Sequence, residues 1–319
     1  MQDKIVGFLK KSSGYISGEE ISEQLNISRA AVWKHIQELR EGGYDIVAVP
    51  HLGYKLASSP DKLFPSEIQF GLAAKIIGKK IVYYDTVNST MDVAFGLGMN
   101  KAPEGTVVLS EGQSKGRGRM GREWASPKGK GIYASIILRP RLTPTQAAKL
   151  TLLSGVAICG AIKNKTNCDA RIKWPNDILI HGKKVAGILT ELSAETDRVK
   201  FVVIGIGLNV NSKSDSLPVG ATSLRSELKK QISRVELLQE ILQEMEKWYE
   251  CLEKKGFAPV IKKWKELSVT LGKRVRVIDP NGDIEGEAVD IDEDGGLVIR
   301  KDSGVFVKRM AGDVLQVGF

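Results

Sequence analysis

The chain has 319 residues, of which 42% are hydrophobic and 27% charged, the proportions of a soluble globular protein. Its three cysteines are odd in number and form no C-x-x-C pair, which argues against a disulfide framework or a zinc knuckle. No apolar run approaches the length of a membrane span, and the N-terminus lacks the apolar stretch of a signal peptide. We therefore expect a reduced, cytoplasmic protein with two or three domains and no membrane partner.

The net charge of +9 is concentrated in the middle of the chain. Residues 1–60 carry seven basic and seven acidic side chains, residues 61–270 carry 33 and 21, and residues 271–319 carry 7 and 10. The positive excess of the central part predicts attraction of an anion. A small anionic ligand, an acidic protein and a nucleic acid would satisfy this pattern equally well.

Residues 1–56 have the pattern of a winged helix-turn-helix. Three amphipathic helices are expected, the second capped by Ser17 and the third by Ser28, and two alternating strands would follow as the wing. The side chains that the recognition helix would offer to DNA are Ser28, Arg29, Ala30, Trp33 and Lys34. Because residues 1–60 have no net charge, dimer packing or ligand binding without DNA stays open as the alternative.

A basic, glycine-rich segment, residues 113–131, is called the basic loop below. It contains six lysine or arginine residues, five glycines and a single acid, Glu123. Glycine lets backbone amides approach a ligand closely, and the planar donor fork of arginine suits phosphate and carboxylate. Repulsion between like charges and a lack of apolar side chains predict that the loop is mobile until an anion orders it. An RNA-binding arginine–glycine tract is the alternative.

The part of the chain beyond a polar boundary at 58–61 has a mixed pattern. Strands are expected at 81–84, 106–110, 132–138, 172–180, 184–191 and 199–210, and helices at 91–99, 143–163 and 235–252. Ser89 and Thr90 fall at a helix N-terminus, where they could bind a polar ligand group or simply cap the helix. Tight turns between consecutive strands predict a mixed sheet rather than a doubly wound one. The polar segment 211–223 is interpreted as a mobile loop and a candidate lid, with a plain linker as the alternative.

From Gly272 the hydrophobic period changes to two, which indicates a small β-barrel. Its expected strands and turns are 275–277, 286–291, 297–299 and 305–307, with turns at 280–283 and 292–296. A barrel of this size usually acts as a docking or packing module.

Four motifs follow the winged helix in a fixed order: Gly116–Arg122, Lys173–Asp177, Lys184–Leu189 and Gly205–Asn209. With this order and spacing the chain resembles, along its whole length, the bifunctional biotin–protein ligases that also repress the biotin operon. The resemblance implies an α+β fold of three domains. These are a winged helix-turn-helix at 1–60, a mixed-sheet ligase domain like that of class II synthetases at 65–268, and an SH3-like β-barrel at 270–319.

The resemblance implies that the protein makes biotinyl-5′-adenylate from biotin and ATP with Mg²⁺. It then passes the biotinyl group to one lysine of a biotin carboxyl carrier domain, and as an adenylate-bound homodimer it represses biotin genes by binding operator DNA. No resident metal site is expected, since Mg²⁺ accompanies ATP. Adenylation brings two anions together, which suits a ring of arginine and lysine, and aminolysis needs a carboxylate to take a proton from the incoming lysine.

The resemblance also implies a role for each site residue by its position in the motifs. The residues implied to bind biotin are Ser89, Thr90 and Gln113 at the ureido ring, Arg117, Gly118 and Arg119 around the carboxylate, and Lys184 at the acyl and phosphate oxygens. Those implied at the nucleotide are Arg119, Arg122, Trp124, Asn176 and Asn209. The catalytic residues would be Lys184, Asp177 and Arg119. Met91 departs from the family, where asparagine is frequent, so only its backbone is expected to bind.

Two rival functions share parts of this pattern. A lipoyl-protein ligase would have the same catalytic fold and adenylate chemistry, but the winged helix and the basic loop argue against it. A transcription factor could use a degenerate ligase fold only to sense a ligand, but retention of Arg119, Asp177 and Lys184 argues against that reading.

Overall fold

The computed structural model describes residues 1–279 and 282–316, so the turn predicted at 280–283 lies partly outside the described residues. Two compact units make up the chain, Met1–Phe70 and Gly71–Phe319. The first unit thus extends past residue 60, where the sequence predicts the end of the winged helix. The three domain ranges given above stay predictions.

The N-terminal unit contains the predicted helix-turn-helix and wing. Its elements are α1 (Gln2–Lys11), α2 (Gly18–Leu25), α3 (Arg29–Glu41), β1 (Asp45–Val49), β2 (Gly53–Ser58) and α4 (Pro65–Gln69). Ile5, Ile21 and Ile36 are fully buried where the three helices meet. The Ser17 hydroxyl accepts the amide of Glu20, and the Ser28 hydroxyl accepts that of Ala31, so both predicted caps are confirmed.

The short helix α4 closes this unit through one buried carboxylate. Glu67 is 3% exposed, accepts a hydrogen bond from the Tyr44 hydroxyl at 2.9 Å and pairs with Lys10 Nζ at 2.6 Å. Burial, together with the neighbouring Glu67, raises the pKa of Tyr44 well above its ordinary value. These contacts hold α4 on the helical bundle.

The second unit is built on a seven-stranded sheet. Its strands are β3 (Ile81–Tyr84), β4 (Val107–Ser110), β5 (Gly131–Leu138), β6 (Arg171–Lys173), β7 (Asp177–Ile180), β8 (Lys183–Ala194) and β9 (Val199–Asn209). They lie in the order β3-β4-β5-β9-β8-β7-β6, with β3 parallel to β4 and the other neighbours antiparallel, so the predicted mixed sheet is confirmed. The strand predicted at 172–180 is a hairpin of β6 and β7, because Pro175 cannot donate to a ladder.

The α-helices of this unit, within the described part of the chain, are α5 (Thr90–Met99), α6 (Ala148–Thr166), α7 (Leu224–Leu228), α8 (Arg234–Lys255) and α9 (Ala258–Leu267). All of them except the short α7 pack on the sheet. The segment Pro144–Thr166 is long and apolar enough to cross a membrane by composition, but 67% of its most apolar window is buried inside the protein. It is therefore a core helix that packs against α8 and α9. Within α8, the predicted inward stripe is buried except for Trp248, which lies half-buried at its edge.

The C-terminal part is an antiparallel five-stranded sheet. Its strands are β10 (Arg274–Ile278), β11 (Ile284–Ile291), β12 (Leu297–Arg300), β13 (Phe306–Arg309) and β14 (Asp313–Gln316), in the order β13-β12-β11-β10-β14. The buried Trp174 ties it to the seven-stranded sheet, because its indole Nε1 donates to the Gly295 carbonyl at 3.2 Å. Sequence reasoning did not predict β14. Asp313, the first residue of this strand, lies beside Arg119 and Arg122 of the basic loop.

Candidate active site

One cavity of the second unit collects almost all of the predicted ligase residues. The predicted residues that line it are Ser89, Thr90, Gln113, Arg117, Gly118, Arg119, Arg122, Trp124, Asn176, Asp177 and Lys184. They come from the start of α5, the basic loop, the β6–β7 connection and the β7–β8 hairpin. Asp313 of β14 lines the same cavity and was not predicted.

The floor of the cavity is a flat patch of sheet made by glycines. Gly205 and Gly207 alternate along β9 and therefore face the same side. A Cβ at Gly205 would lie 2.5 Å from Met91 Sδ, and one at Gly207 would lie 2.6 Å from Trp124 Cε2. Glycine is thus needed at both positions for these side chains to lie on the sheet. Trp124 Nε1 is buried without a hydrogen-bond partner.

The predicted biotin-ring residues form one hydrogen-bonded cluster at the start of α5. The side-chain oxygen of Gln113 accepts the amide of Thr90 at 2.8 Å and its hydroxyl at 3.1 Å. Ser135 of β5 donates to the Thr90 hydroxyl at 2.8 Å, and the amide group of Gln113 donates to Ser126 at 2.9 Å. Ser89 and Thr90 are 1% and 3% exposed. The cluster offers preformed polar groups in a buried wall.

The basic loop is folded over the cavity. Gly118 N donates to the Arg122 carbonyl at 2.7 Å, and Trp124 N donates to the Gly116 carbonyl at 2.8 Å. Arg117 forms ion pairs with Asp92 at 2.7 Å and Glu191 at 3.0 Å. Neither acid was singled out from the sequence. The mobility predicted for this loop stays a prediction.

Arg119 and Arg122 converge on the C-terminal sheet. Arg119 donates to Asn176 Oδ1 at 3.0 Å and to the Gly312 carbonyl at 3.2 Å, and its Nη1 lies 3.8 Å from Asp313. Arg122 pairs with the same Asp313 carboxylate. Burial lowers the pKa of Arg119, while Asp313 and Asp177 act in the opposite direction. A ligand phosphate or carboxylate bound by these arginines would compete with Asp313.

Asp177 and Lys184 face each other across the β7–β8 hairpin. Lys184 Nζ lies 2.7 Å from Asp177 Oδ1 and 5.3 Å from the centre of the Trp124 ring. The backbone of Lys184 is held on its other edge by the segment 211–223: its amide donates to Gly220, and its carbonyl accepts the amide of Thr222. The proposed catalytic pair therefore stands on rigid strands, within reach of the arginines.

Asn209 and the candidate lid do not reach the cavity. Asn209 is 4% exposed and donates to the Thr222 carbonyl at 3.1 Å. The segment 211–223 is tied to β8 as described and does not line the cavity among the described residues. The lid function and the nucleotide role of Asn209 stay predictions.

A second candidate surface lies on the N-terminal unit. All five predicted DNA-binding residues, Ser28, Arg29, Ala30, Trp33 and Lys34, are exposed, and Trp33 is 59% exposed. The opposite side of α3 is buried through Val32, Ile36 and Leu39. This division presents a polar and aromatic helix face to a partner.

The chain matches three family models. Residues 83–209 match the Biotin/lipoate A/B protein ligase family, residues 2–55 match an HTH domain, and residues 270–315 match the Biotin protein ligase C terminal domain.

Relatives match nearly the whole chain. The bifunctional ligase/repressor BirA of Bacillus subtilis is 42% identical over 308 residues, which cover 95% of each chain. The bifunctional ligase/repressor BirA of Escherichia coli is 30% identical, over 98% of this chain and 95% of that protein. A solved biotin protein ligase from Aquifex aeolicus in complex with biotin and ATP aligns with a TM-score of 0.65 and 29% identity, over 75% of this chain and 100% of that chain.

Proposed function

The chain belongs to the family of bifunctional biotin ligase/repressors, and we propose that its ligase reaction takes place in the cavity beneath the basic loop. The protein is a biotin–[acetyl-CoA-carboxylase] ligase and a biotin-operon repressor. The observation that carries the site assignment is the convergence of the basic loop, the Asp177–Lys184 pair and the glycine floor in one cavity. This arrangement supports the proposal that ATP binds and biotin is activated here.

In the first step a biotin carboxylate oxygen attacks the α-phosphorus of ATP, and the bond to the β-phosphate breaks to release pyrophosphate. Ser89, Thr90 and Gln113 would hold the polar ring of biotin, since they already form a buried hydrogen-bonding wall. Arg117, Gly118, Arg119 and Lys184 would surround the carboxylate and the α-phosphate. Preorganised donors at this place stabilise the negative charge that grows in the transition state.

In the second step a lysine of the carrier domain attacks the acyl carbon, and AMP leaves. The incoming ammonium must first lose a proton, and the Asp177 carboxylate is the base we propose. Its partner Lys184, 2.7 Å away, would turn to the acyl and phosphate oxygens. Arg122, Trp124 and Asn176 line the cavity and are proposed to contact the nucleotide. Asn209 is proposed to contact it only if the segment 211–223, to which it is bonded through Thr222, moves away.

Mg²⁺ is proposed to enter with the phosphates of ATP. Among the described residues no group of three or more His, Cys, Asp or Glu could hold a metal ion. Three acidic residues line the cavity, Glu123, Asp177 and Asp313, and their carboxylates could contact a cation that ATP brings. When bound, the cation would neutralise part of the negative charge of the phosphates, and the arginines would neutralise the remainder. We propose that these steps occur in the cytoplasm, with a biotin carboxyl carrier domain as acceptor.

Repression is proposed to require a homodimer that places two α3 helices on operator half-sites. If adenylate orders the basic loop and that loop borders the dimer surface, binding lowers the entropic cost of dimerisation. Arg29, Trp33 and Lys34 are exposed and suited to bases and phosphates. A band shift on a palindromic operator should be stronger with biotin and ATP than without them; equal binding would refute the coupling.

The site assignment is tested by Arg119→Ala. We expect adenylate formation, measured as pyrophosphate release with biotin, to fall by roughly 100-fold or more, the loss typical of one preorganised donor. The matched control is Arg198→Ala, since Arg198 is exposed and pairs with Glu195. Parallel assays with lipoate test the rival substrate. A retained rate in Arg119→Ala, or equal rates with both acids, would overturn the assignment.

A further inference from the structure

We propose that Arg234, at the start of α8, is a positioning residue for the ligase reaction, because it fixes the two ends of the basic loop. The inference rests on the proposed role of that loop. Arg234 is 2% exposed, and its Nη1 lies 2.7 Å from Glu111 Oε2 and 3.3 Å from the Gly131 carbonyl. Glu111 directly follows β4, and Gly131 begins β5. One buried side chain therefore contacts both strands from which the loop emerges.

The neck of the loop closes around this contact. The Glu111 carbonyl accepts the amide of Gly129 at 2.9 Å, and Gln113 N donates to the Ser126 carbonyl at 3.2 Å. The Tyr133 hydroxyl donates to the Pro127 carbonyl at 3.1 Å. Residues entering and leaving the loop are thus bonded directly to each other, so a shift of Glu111 or Gly131 would move the whole loop.

A second tie joins the loop to the segment that precedes α8. Asn211 N donates to the Lys130 carbonyl at 2.6 Å. The Asn211 side chain exchanges two hydrogen bonds with Ile232, at 2.8 Å and 3.0 Å. The position of α8 relative to the loop is thereby fixed two residues before Arg234.

Arginine suits this position better than an apolar residue would. A buried ion pair adds little net stability over packed apolar side chains, and specificity of arrangement is the best-attested reason to keep one. The planar guanidinium holds the two N–H bonds of Nη1 in fixed directions, toward the Glu111 carboxylate and the Gly131 carbonyl, whereas the ammonium of lysine rotates at the end of a flexible stem. The pair therefore selects one geometry of the loop neck.

That geometry matters to the reaction because Arg117, Arg119 and Arg122 lie in the same loop. If the neck loosens, the arginines lose their fixed aim at the phosphate, and the mixed anhydride is exposed to water. We expect poorer retention of biotinyl-adenylate rather than loss of folding.

The test compares three full-length variants. The double variant Arg234→Met, Glu111→Leu removes both charges with side chains of similar size, and Arg234→Lys keeps the charge without the fork. The matched control is Arg139→Met at the other end of β5, where Arg139 donates to the carbonyls of Gly98, Ala102 and Lys200. Trypsin cleavage within the basic loop of the free protein is measured beside thermal unfolding.

We expect the double variant to unfold within a few degrees of wild type but to be cleaved in the loop roughly tenfold faster, about 1.4 kcal/mol of easier opening. Arg234→Lys should fall between, and it supplies the comparison if the apolar pair does not fold. An unchanged cleavage rate, or equal acceleration in Arg139→Met, would overturn the proposal. Release of preformed biotinyl-adenylate should accelerate in the same order. If wild type forms no adenylate, the cavity assignment fails, while the cleavage rates still decide the role of Arg234.

Discussion

Two glycines on β9 lie under large side chains that differ in their ability to move. A methyl group at Gly205 would meet the thioether of Met91, and one at Gly207 would meet the indole of Trp124. Methionine has three rotatable bonds and can move aside. The indole is rigid and lies under Lys184 as well. The same substitution should therefore have different effects at the two positions.

We expect Gly207→Ala to push Trp124 off the sheet and to raise the KM for ATP by about tenfold, because misplaced binding groups lose their alignment with the reacting atoms. Gly205→Ala is the matched control and should change this KM by no more than about threefold, since Met91 can repack. Adenylate formation at varied ATP concentration measures both values, and thermal unfolding verifies that both variants fold. Equal KM values for the two variants would contradict the argument.

The sequence predicted the arginines that line the cavity but not the acidic residues that form ion pairs with them. Arg117, Arg119 and Arg122 stand out because arginine and glycine crowd into one segment, and the family resemblance gives them roles. Their partners Glu191 and Asp313 lie far away in the chain and carry no local signal. Only the tertiary fold, in which β8 and β14 belong to different sheets, brings these two acids to the loop. Asp313 also belongs to a strand too short for its alternation to be recognised.

At the scale of elements, segments with several apolar positions in a regular pattern were predictable. β3 and the second and third helices of the N-terminal unit lie where the sequence puts them, because such positions repeat along each. Three elements went unpredicted, α4, α7 and β14, and each has only four or five residues. They are stabilised by tertiary contacts such as Glu67 with Tyr44, which no periodicity reveals.

The segment 211–223 shows how tertiary contacts can hold a polar, turn-rich stretch. Thr222 donates from its hydroxyl to Glu227 of α7 at 2.5 Å, and the same carboxylate lies 2.7 Å from His181 Nδ1 in the β7–β8 turn. Glu227 therefore joins the end of this segment to the hairpin that carries Lys184. Burial alone would raise the pKa of Glu227, but the bonds from Thr222 and His181 together lower it below 4.5.

A lowered pKa in the folded state means that this carboxylate stabilises the fold above its unfolded pKa, and that the contribution is lost as pH falls through the folded value. We expect the unfolding free energy of wild type to decline below about pH 4.5 partly through this group. Glu227→Gln should cost about 1 kcal/mol at pH 7 and flatten that decline. Denaturant unfolding between pH 7 and pH 3 measures both effects.

Glu240→Gln on α8 is the matched control for this pH series, because it removes a half-buried carboxylate that accepts a hydrogen bond from the neutral side-chain amide of Asn164. Its curve should keep the wild-type slope below pH 4.5. If the unfolding free energy of Glu227→Gln falls with pH as steeply as that of Glu240→Gln, Glu227 does not cause the loss of stability at low pH.

At the scale of the whole molecule, two chemistries are carried by separate surfaces. Residues 1–60 have no net charge and include the exposed face of α3, whereas the positive excess lies in the unit that holds the cavity. The arginines of the basic loop pair with acids of their own unit. We therefore expect the positive excess to attract the small anionic ligand of this unit rather than DNA. Ligation and operator binding should therefore be separable by single substitutions in the full chain.

We expect Trp33→Ala to weaken operator binding by about tenfold or more while leaving pyrophosphate release unchanged, because Trp33 is exposed on α3 and supports no core. Phe306→Ala is the matched control, since Phe306 is an equally exposed aromatic residue on β13. Arg119→Ala should do the reverse: it should lower adenylate formation by roughly 100-fold or more. It should also remove the increase in DNA binding that biotin and ATP produce, and leave DNA binding without these ligands unchanged. Band shifts on a duplex selected from random sequences by the wild-type protein measure both. Unchanged DNA affinity in Trp33→Ala would show that α3 is not the recognition element. Loss of ligation in that variant would show that the two activities cannot be separated by this substitution.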